Sequence, residues 1–285
     1  MSKLKIAIQK KGRLSENSHK LLEECGIKFS NGAEVLKTSA VNFPVEILFL
    51  RDDDIPQYVE QQVVDIGILG ENMVLEKKKD VVILEQLGFA HCRLSLAIPK
   101  EEKFTGPEYF MNKRVATSYP RLLGDYLREN NINAEIEEIS GSVEIAPGIG
   151  LADAVCDIVS SGSTLMTNGL REVATILKSQ AVIIANKNLN QQNQKILDKL
   201  LFRIRAVKNA KENKYILLNA PLEALHKICH ILPGMKSPTI LPLEEKGWCS
   251  IHSVVKEDEF WERIDQLKNA GAEGILVIPI EKMIL

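Results

Sequence analysis

The alternation of short apolar runs with helical segments over residues 1–186 constrains the fold of this chain more than any other feature. Runs such as Lys5–Gln9 and Val45–Leu50 consist mainly of β-branched and other apolar residues, which favours strands. The segment Glu16–Cys25 carries apolar residues at helical spacing, and Gly26 follows it where a helix C-cap is expected. This order predicts an α/β fold with largely parallel sheets.

Polar residues of this region are concentrated in the turns that follow predicted strands. These turns are Lys10–Arg13, Arg51–Asp54, Gly70–Asn72, Ser118–Arg121 and Ser160–Thr164. In α/β sheets, ligands bind beyond the carboxyl ends of the strands. The sequence therefore predicts a binding site that is assembled from these turns.

The C-terminal part has a different order of elements. A helix is predicted over Gln192–Val207, and the polar break Asn209–Asn213 is interpreted as a domain boundary. Beyond the break, the pattern is strand, helix, strand, strand, helix, strand, and it ends in a buried-type strand over Gly274–Ile280. This order is typical of the ferredoxin-like split motif and predicts a small separate module.

The stretch from Ala154 to Leu170 indicates the chemistry most directly. An apolar run is followed by a loop of small residues, most of them hydroxylated. The loop consists of Ser160, Ser161, Gly162, Ser163 and Thr164. A helix is predicted after the loop, through Leu170, Val173 and Leu177. Backbone N–H groups, hydroxyls and a helix N-terminus together suit a phosphate dianion.

Asp157 precedes this loop in the predicted strand. A carboxylate so near an anion is unsuited to bind the phosphate, but it can accept hydrogen bonds from sugar hydroxyls beside it. Phosphate plus ribose is therefore the first interpretation of the substrate. A strand–turn–helix corner with ordinary capping serines explains the loop equally well, and the loop alone leaves both interpretations open.

Bulk properties exclude several classes of protein. The formal net charge of −2 argues against nucleic acid as the main partner, which usually requires a basic stripe. No apolar run approaches the ~20 residues of a membrane helix, and no signal peptide is predicted. The five cysteines are scattered without C-x-x-C spacing, which predicts reduced thiols in a cytoplasmic protein. His226 and His230 have no third ligand nearby, so no metal site is predicted there.

Several segments, taken in order, match the pattern of a known family. They are Ile8–Leu14, Arg51–Pro56, Val64–Asn72, Asp157–Thr164 with Asn168–Val173, and Ser237–Thr239 with Val277–Lys282. Together they resemble the long form of ATP phosphoribosyltransferase, the first enzyme of histidine biosynthesis. Because they span nearly the whole chain in the family's order, the resemblance is specific.

The resemblance implies that N1 of ATP attacks C1 of phosphoribosyl pyrophosphate (PRPP), giving 1-(5-phosphoribosyl)-ATP and pyrophosphate, with Mg²⁺ as cofactor. It implies an α/β fold with two lobes like those of periplasmic binding proteins, followed by a ferredoxin-like (ACT-like) βαββαβ regulatory domain. The expected boundaries are residues 1–92 with 180–210 for lobe I, 93–179 for lobe II and 211–285 for the regulatory domain. Homo-oligomers, namely dimers and hexamers, are expected as well.

Roles for individual residues follow from the resemblance and from the turns that hold them. The residues expected to bind PRPP are Asp157, Ser160, Ser161, Gly162, Ser163, Thr164 and Leu165. The residues expected to contact ATP are Lys10, Lys11, Gly12, Arg13, Leu14, Glu71, Asn72 and Tyr119. Three side chains are expected to be catalytic. Asp157 is expected near the positively charged ring, and Arg13 and Arg51 are expected at the phosphates.

Some of these expectations keep an alternative. Tyr119 either stacks on adenine or belongs to the core, and one of Lys10 and Lys11 is interpreted as a solvated surface residue. The acidic run after Arg51 is interpreted as structural: Asp54 caps the next helix, and its neighbours hold the arginine. No protein ligand for Mg²⁺ is evident. No general base is required, because adenine N1 carries a lone pair.

The family's histidine-binding positions correspond to residues of the C-terminal module. These are Asn219, Met235, Ser237, Thr239 and Ala272. L-Histidine is accordingly the expected feedback inhibitor. Asn219 stands where some members carry an acid, and a carboxylate pairs with an α-amino group more strongly than an amide does.

Two other functions fit parts of the pattern. Two α/β lobes around a cleft also describe a solute-binding protein. The presence of a phosphate loop at the cleft argues against that class, and so does the lack of a predicted signal peptide. A nucleotide-sensing regulatory protein is the second alternative. The presence of Asp157 with the full hydroxylated loop favours catalysis over sensing.

Overall fold

The computed structural model of the chain describes residues 3–30 and 35–285. The strands are β1 (Leu4–Gln9), β2 (Lys37–Ser39), β3 (Val45–Leu50), β4 (Ile66–Gly70), β5 (Val82–Gln86), β6 (Cys92–Pro99), β7 (Arg114–Thr117), β8 (Glu135–Glu138), β9 (Ala154–Val159), β10 (Leu170–Ser179), β11 (Ala181–Ala185), β12 (Asn213–Pro221), β13 (Thr239–Pro242), β14 (Trp248–Lys256) and β15 (Glu273–Pro279). The α-helices are α1 (Arg13–Glu24), α2 (Ile55–Glu60), α3 (Glu71–Lys77), α4 (Pro120–Glu129), α5 (Ser163–Thr167), α6 (Gln191–Glu212), α7 (Leu225–Ile231) and α8 (Glu257–Asn269). The chain forms two compact units, Met1–Lys20 with Ile27–Ile196 and Leu21–Gly26 with Leu197–Leu285.

Sheet A is the six-stranded sheet of the first unit and has the order β2-β3-β1-β4-β11-β5. β1 pairs in parallel with β3 and β4, whereas β11 is antiparallel to β4 and β5, and β2 is antiparallel to β3. The prediction of largely parallel sheets is therefore wrong, because the parallel pairs form only the centre of a mixed sheet. β11 reaches sheet A directly from another sheet, without the crossover helix that a parallel connection requires.

Sheet B has the order β10-β6-β9-β7-β8 and is formed by the chain between β5 and β11. β7 pairs in parallel with β8 and β9, and β6 is antiparallel to β9 and β10. The chain passes from sheet A to sheet B between β5 and β6, and it returns between β10 and β11. Two α/β sheets joined by two crossings are typical of periplasmic binding proteins, and this confirms the predicted fold class.

The interior of sheet A depends on close contact between helix and strand. Ile6, Ile66 and Ile68 are fully buried, as expected for central strands that are covered on both faces. A Cβ atom on Gly67 would lie only 2.4 Å from Cγ2 of Ile55. The absence of a side chain at Gly67 thus lets α2 pack directly against β4.

Sheet C belongs to the second unit and is antiparallel, with the order β13-β14-β12-β15. Leu218 and Ile251 of the sheet form one core with Phe260 and Leu267 of α8. This order is that of the ferredoxin-like split motif, as predicted. The prediction that the last strand is buried is wrong, since Leu276 of β15 is 53% exposed. Apolar composition alone does not distinguish a core strand from an edge strand.

Three other elements differ from the sequence prediction. Leu170–Ser179 forms strand β10 instead of a helix, because Gly169 follows α5 with a φ of +71° and the segment beyond it pairs antiparallel with β6, with two register shifts. α6 continues to Glu212, so the polar segment Asn209–Asn213 is not a break but mainly the last turn of a helix. α3 is not predicted, since it follows β4 without a loop.

Among the helices in the described ranges, none is long and apolar enough to cross a bilayer.

Candidate functional site

The turns that follow the strands of sheets A and B border a cavity of about 700 Å³, here called the cleft cavity. The sheet A side contributes Lys10, Lys11, Arg51, Asp52, Asp53 and Lys77, and the sheet B side contributes Ser118, Glu138 and Ser140. The lysine and arginine side chains on one wall are the cationic donors that phosphate groups require, and they stand beside the carboxylates of Asp52 and Asp53. The cleft cavity is therefore the first candidate for a nucleotide site.

A smaller cavity of about 250 Å³ adjoins the cleft cavity and shares Asp52 and Met73 with it. Its lining includes Arg13, Leu14, Gly70, Asn72, Tyr119, Ile158 and Ser160. Arg13, at the start of α1, thus lines the same cavity as Ile158 near the end of β9. The two cavities together bring most of the residues predicted to contact ATP to one region of the first unit.

The loop after β9 presents its hydroxyl groups to one another. The hydroxyls of Ser161 and Ser163 lie 3.0 Å apart, and the Ser163 N–H donates to Ser161 Oγ at 3.4 Å. Gly162 adopts a φ of +83°, which glycine tolerates best, and Leu165 anchors the following turn in the core. Because α5 has only five residues, the loop offers local N–H groups and hydroxyls to an anion rather than the dipole of a long helix.

Asp157 is half-buried in β9, three residues before Ser160, the first residue of the loop. Its Oδ1 accepts a hydrogen bond of 2.7 Å from the N–H of Ile158. Burial raises the pKa of the Asp157 carboxyl above its usual value, and the negative charge of Glu144 acts in the same direction. Ile158 and Ser160 line the smaller cavity, whereas Asp157 is not among the residues that line either of the two cavities.

Asn72 and Tyr119 link the two sheets through hydrogen bonds and form part of the wall of the smaller cavity. The amide of Asn72 donates to Tyr119 Oη at 2.9 Å, and its oxygen accepts from Ser179 Oγ at 2.9 Å. Each is 8% exposed, which leaves little of the tyrosine ring available for stacking on adenine. Burial raises the pKa of Tyr119, and the nearby charges of Asp157 and Asp52 add to this effect.

The acidic run after β3 differs from its predicted role. Asp54 stands at the N-cap of α2 but makes no capping hydrogen bond with its side chain. Its φ and ψ of −86° and −27° are helical, whereas a capping residue is normally extended. Within residues 3–30 and 35–285, no ion pair joins Arg51 to its acidic neighbours. Burial raises the pKa of the Asp52 carboxyl, with Asp53 as a second cause.

Sequence reasoning missed two polar contacts near the site. The Glu76 carboxylate on α3 accepts hydrogen bonds of 2.9 Å from the N–H groups of Arg121 and Leu122 on α4. The guanidinium of Arg93 donates to the carbonyl of Ser160 at 3.1 Å. Both contacts join segments more than forty residues apart, and no local pattern signals such pairs.

The residues predicted to bind histidine occupy two places in sheet C. Met235, Ser237 and Thr239 line a cavity of about 430 Å³ together with Tyr215 and His252. Asn219 is paired across the sheet with Glu273 of β15, and Ala272 is buried just before that strand. Only the first three residues are therefore brought together at a cavity in this unit.

Metal and thiol chemistry receive little support from the side-chain arrangement. In the described part of the chain, no group of three or more His, Cys, Asp or Glu side chains is arranged to hold a metal ion. All five cysteines are free thiols. Burial raises the pKa of the thiols, for Cys25 to about 12, which makes them poor nucleophiles.

Known proteins match this chain over nearly its full length. The pattern of the family described as HisG, ATP phosphoribosyltransferase, matches residues 51–206, and that of HisG, C-terminal domain, matches residues 210–282. A protein of Cytophaga hutchinsonii named ATP phosphoribosyltransferase is 60% identical, over 99% of this chain and 98% of its own. A protein of the same name from Bacteroides thetaiotaomicron is 55% identical, over 99% of this chain and 100% of its own.

One solved structure is similar in both sequence and fold. It is described as the ATP phosphoribosyl transferase (HisG:HisZ) complex from Thermotoga maritima. The TM-score is 0.61 and the identity 30%, over 71% of this chain and 98% of that chain.

Proposed function

Because the chain belongs to the ATP phosphoribosyltransferase family, we propose that it transfers the 5-phosphoribosyl group of PRPP to N1 of ATP and releases pyrophosphate, the first step of histidine biosynthesis. The observation that carries this proposal is the 60% identity over 99% of the chain to a protein of that name. The hydroxylated loop and the cationic cleft supply the groups that the reaction needs.

The loop after β9 is proposed to bind the 5′-phosphate of PRPP. Backbone N–H groups and the hydroxyls of Ser161, Ser163 and Thr164 are the donors that a phosphate dianion requires. Asp157 accepts hydrogen bonds from the ribose 2′- and 3′-hydroxyls. Its negative charge also stabilises the cationic, oxocarbenium-like ring that forms as the bond at C1 breaks.

The basic side chains of the cleft are proposed to bind the phosphates of ATP and the departing pyrophosphate. Lys10, Lys11 and Arg51 line the cleft cavity, and Arg13 lines the adjoining one. Charge neutralisation at the leaving group lowers the barrier, while the lone pair of adenine N1 attacks without prior loss of a proton. Catalysis therefore rests on positioning and electrostatics.

Mg²⁺ is the metal that this reaction implies. Asp52 and Asp53 line the cleft cavity, but the described residues hold no three-ligand group, so substrate oxygens and water are proposed to supply most of its ligands. When bound, the ion neutralises charge on the pyrophosphate. The residues of the cleft hold the substrates around it.

The remaining expectations about organisation and control are part of the same proposal. Residues 1–92 with 180–210 are assigned to lobe I, 93–179 to lobe II and 211–285 to a regulatory domain that binds L-histidine. The exposed apolar residues of β15 support assembly into dimers and hexamers. The free thiols support a cytoplasmic location.

The test is an absorbance assay in the ultraviolet band of the product, with ATP, PRPP, Mg²⁺ and a pyrophosphatase, run with and without histidine. A rise that histidine suppresses supports both the catalyst and the regulator. A rise that is insensitive to histidine keeps the enzyme and removes the effector site. No rise, although both substrates shift the melting temperature, would show that the fold serves binding only.

A further inference from the structure

Arg93 forms the centre of a polar network behind the loop. Its Nε and Nη2 donate to the two carboxylate oxygens of Glu172, both at 2.5 Å. Its Nη1 donates to the carbonyl oxygen of Ser160, the first loop residue, at 3.1 Å. The guanidinium therefore bridges strand β10 and the loop that follows β9.

The orientation of the guanidinium is itself fixed by buried contacts. Glu172 Oε1 accepts a hydrogen bond of 2.7 Å from the hydroxyl of Ser95, which is fully buried. Thr175 Oγ1 lies 3.4 Å from the same oxygen. A bidentate pair whose carboxylate is held in this way leaves Nη1 of Arg93 little freedom of direction.

The contact to Ser160 determines the direction of the next N–H group. In a planar trans peptide, the carbonyl of one residue and the N–H of the next point to opposite sides of the chain. When Arg93 holds the carbonyl of Ser160, the N–H of Ser161 is turned away from Arg93. Any rotation of this peptide would move a proposed phosphate donor out of position.

We propose that Arg93, held by Glu172, is a positioning residue that fixes the Ser160–Ser161 peptide so that the Ser161 N–H is directed at the 5′-phosphate of PRPP. This inference rests on the proposed function of the loop. It assigns a role to two residues that do not themselves touch substrate. It also explains why Arg93, besides its two hydrogen bonds to Glu172, donates a third one to the carbonyl of Ser160.

The test compares the kinetics of full-length variants. Arg93→Gln removes the bidentate pair, and we expect the KM for PRPP to rise roughly tenfold, equivalent to about 1.4 kcal/mol. The KM for ATP is expected to stay within about twofold, because the network contacts none of the residues proposed to bind ATP and reaches the site through the Ser160 carbonyl. Arg93→Lys, which keeps the charge but not the fork, is expected to recover part of the loss. Glu172→Gln keeps the shape of the side chain and is expected to raise the PRPP KM less.

Arg114→Gln is the matched control. Arg114 and Asp153 form an ion pair of 3.4 Å whose side chains are exposed to a similar extent as those of Arg93 and Glu172. The pair lies where β7 and β9 begin, whereas the loop follows the end of β9. This variant is expected to leave both KM values unchanged, and thermal melting shows whether each variant is folded.

Three results would overturn the inference: an unchanged PRPP KM in Arg93→Gln, an equal rise in the ATP KM, or the same effect in Arg114→Gln. If Arg93→Gln does not fold, an unchanged PRPP KM in Glu172→Gln is the overturning result. Wild-type chain without turnover would overturn the proposed function, and this inference with it. Turnover with an unaffected PRPP KM overturns the positioning role alone.

Discussion

Asp157 is a single residue whose charged form is disfavoured by its half-buried position. Burial raises its pKa from 3.8, so the native protein binds this proton more tightly than the unfolded chain does. The protonated, neutral carboxyl therefore stabilises the fold most below pH 3.8, and this contribution is lost as the pH rises through the native pKa. At neutral pH the charge lowers stability, and its retention there points to a use in function.

Asp157→Asn should accordingly make the protein more stable and less active. The amide removes the buried charge, so we expect Tm at pH 7.5 to rise by a few degrees and the difference to shrink as the pH is lowered. We expect kcat/KM for PRPP to fall by about 10- to 100-fold, because a neutral amide stabilises the cationic ring poorly. Melting curves across pH and steady-state kinetics check both effects. A variant with lower Tm at pH 7.5 would contradict the argument.

The sequence predicts residues of the site where their signal is local. The hydroxylated loop, Asp157 and the basic turns are visible because each is a short segment with an unusual composition. The bond between Asn72 and Tyr119 and the bond from Arg93 to Ser160 are not visible, since each joins distant parts of the chain. The prediction that Asp54 caps α2 with its side chain is wrong, because the residue type does not reveal that Asp54 has helical φ and ψ angles.

At the scale of elements, α3 and α4 are connected by an unusual N-terminal contact. Glu76 of α3 accepts from the N–H groups of two successive residues, Arg121 and Leu122, in the first turn of α4. First-turn N–H groups have no partner within their own helix, so a carboxylate from another helix serves as their cap. The contact joins an element next to sheet A to one next to sheet B.

Glu76→Ala should weaken this connection. Removal of the carboxylate leaves two partly buried N–H groups without this acceptor, and we expect the free energy of unfolding to fall by about 1–3 kcal/mol. Glu76→Gln, which retains one acceptor, is expected to lose less. Urea denaturation of the three proteins measures the differences. Equal stability of Glu76→Ala and wild type would refute the capping role.

The approach of α2 to β4 leads to a second prediction at this scale. Gly67→Ala places a methyl group 2.4 Å from Ile55 Cγ2 and 3.3 Å from Ile184 Cγ1, so we expect a loss of about 1–3 kcal/mol from overpacking. Ile55→Ala makes room for the methyl group. The double variant should therefore be more stable than the sum of the two single changes predicts. Additive losses in denaturant titrations would show that the methyl group does not clash with Ile55.

At the scale of the whole molecule, the fold class was predictable and the strand pairing was not. The α/β alternation and the ferredoxin-like order are set by local patterns of apolar residues. Whether a strand pairs in parallel depends on which distant strand becomes its neighbour, as for β11 between β4 and β5. The exposure of β15 likewise depends on whether another element packs on it, and its apolar sequence does not reveal this.

Regulation is a property of the whole molecule, and Asn219 provides its test. If the C-terminal module binds histidine, Asn219→Asp adds a carboxylate that pairs with the effector's α-amino group. We expect about a fivefold lower histidine concentration for half-inhibition, with kcat in the absence of histidine unchanged. Inhibition curves of the two proteins measure this. Identical curves would place the α-amino group away from Asn219.

The segment that forms sheet B lies in the chain between β5 and β11 of sheet A, and this order has a consequence for synthesis on the ribosome. Sheet B needs only the continuous stretch from Cys92 to Ser179, whereas β11 must separate β4 from β5 before sheet A is complete. Sheet B can thus finish folding while β4 and β5 of sheet A still have edges that await β11. Unpaired strand edges are templates for aggregation. Newly made chains should therefore need a chaperone most during the interval before residues 181–185 are synthesised and form β11.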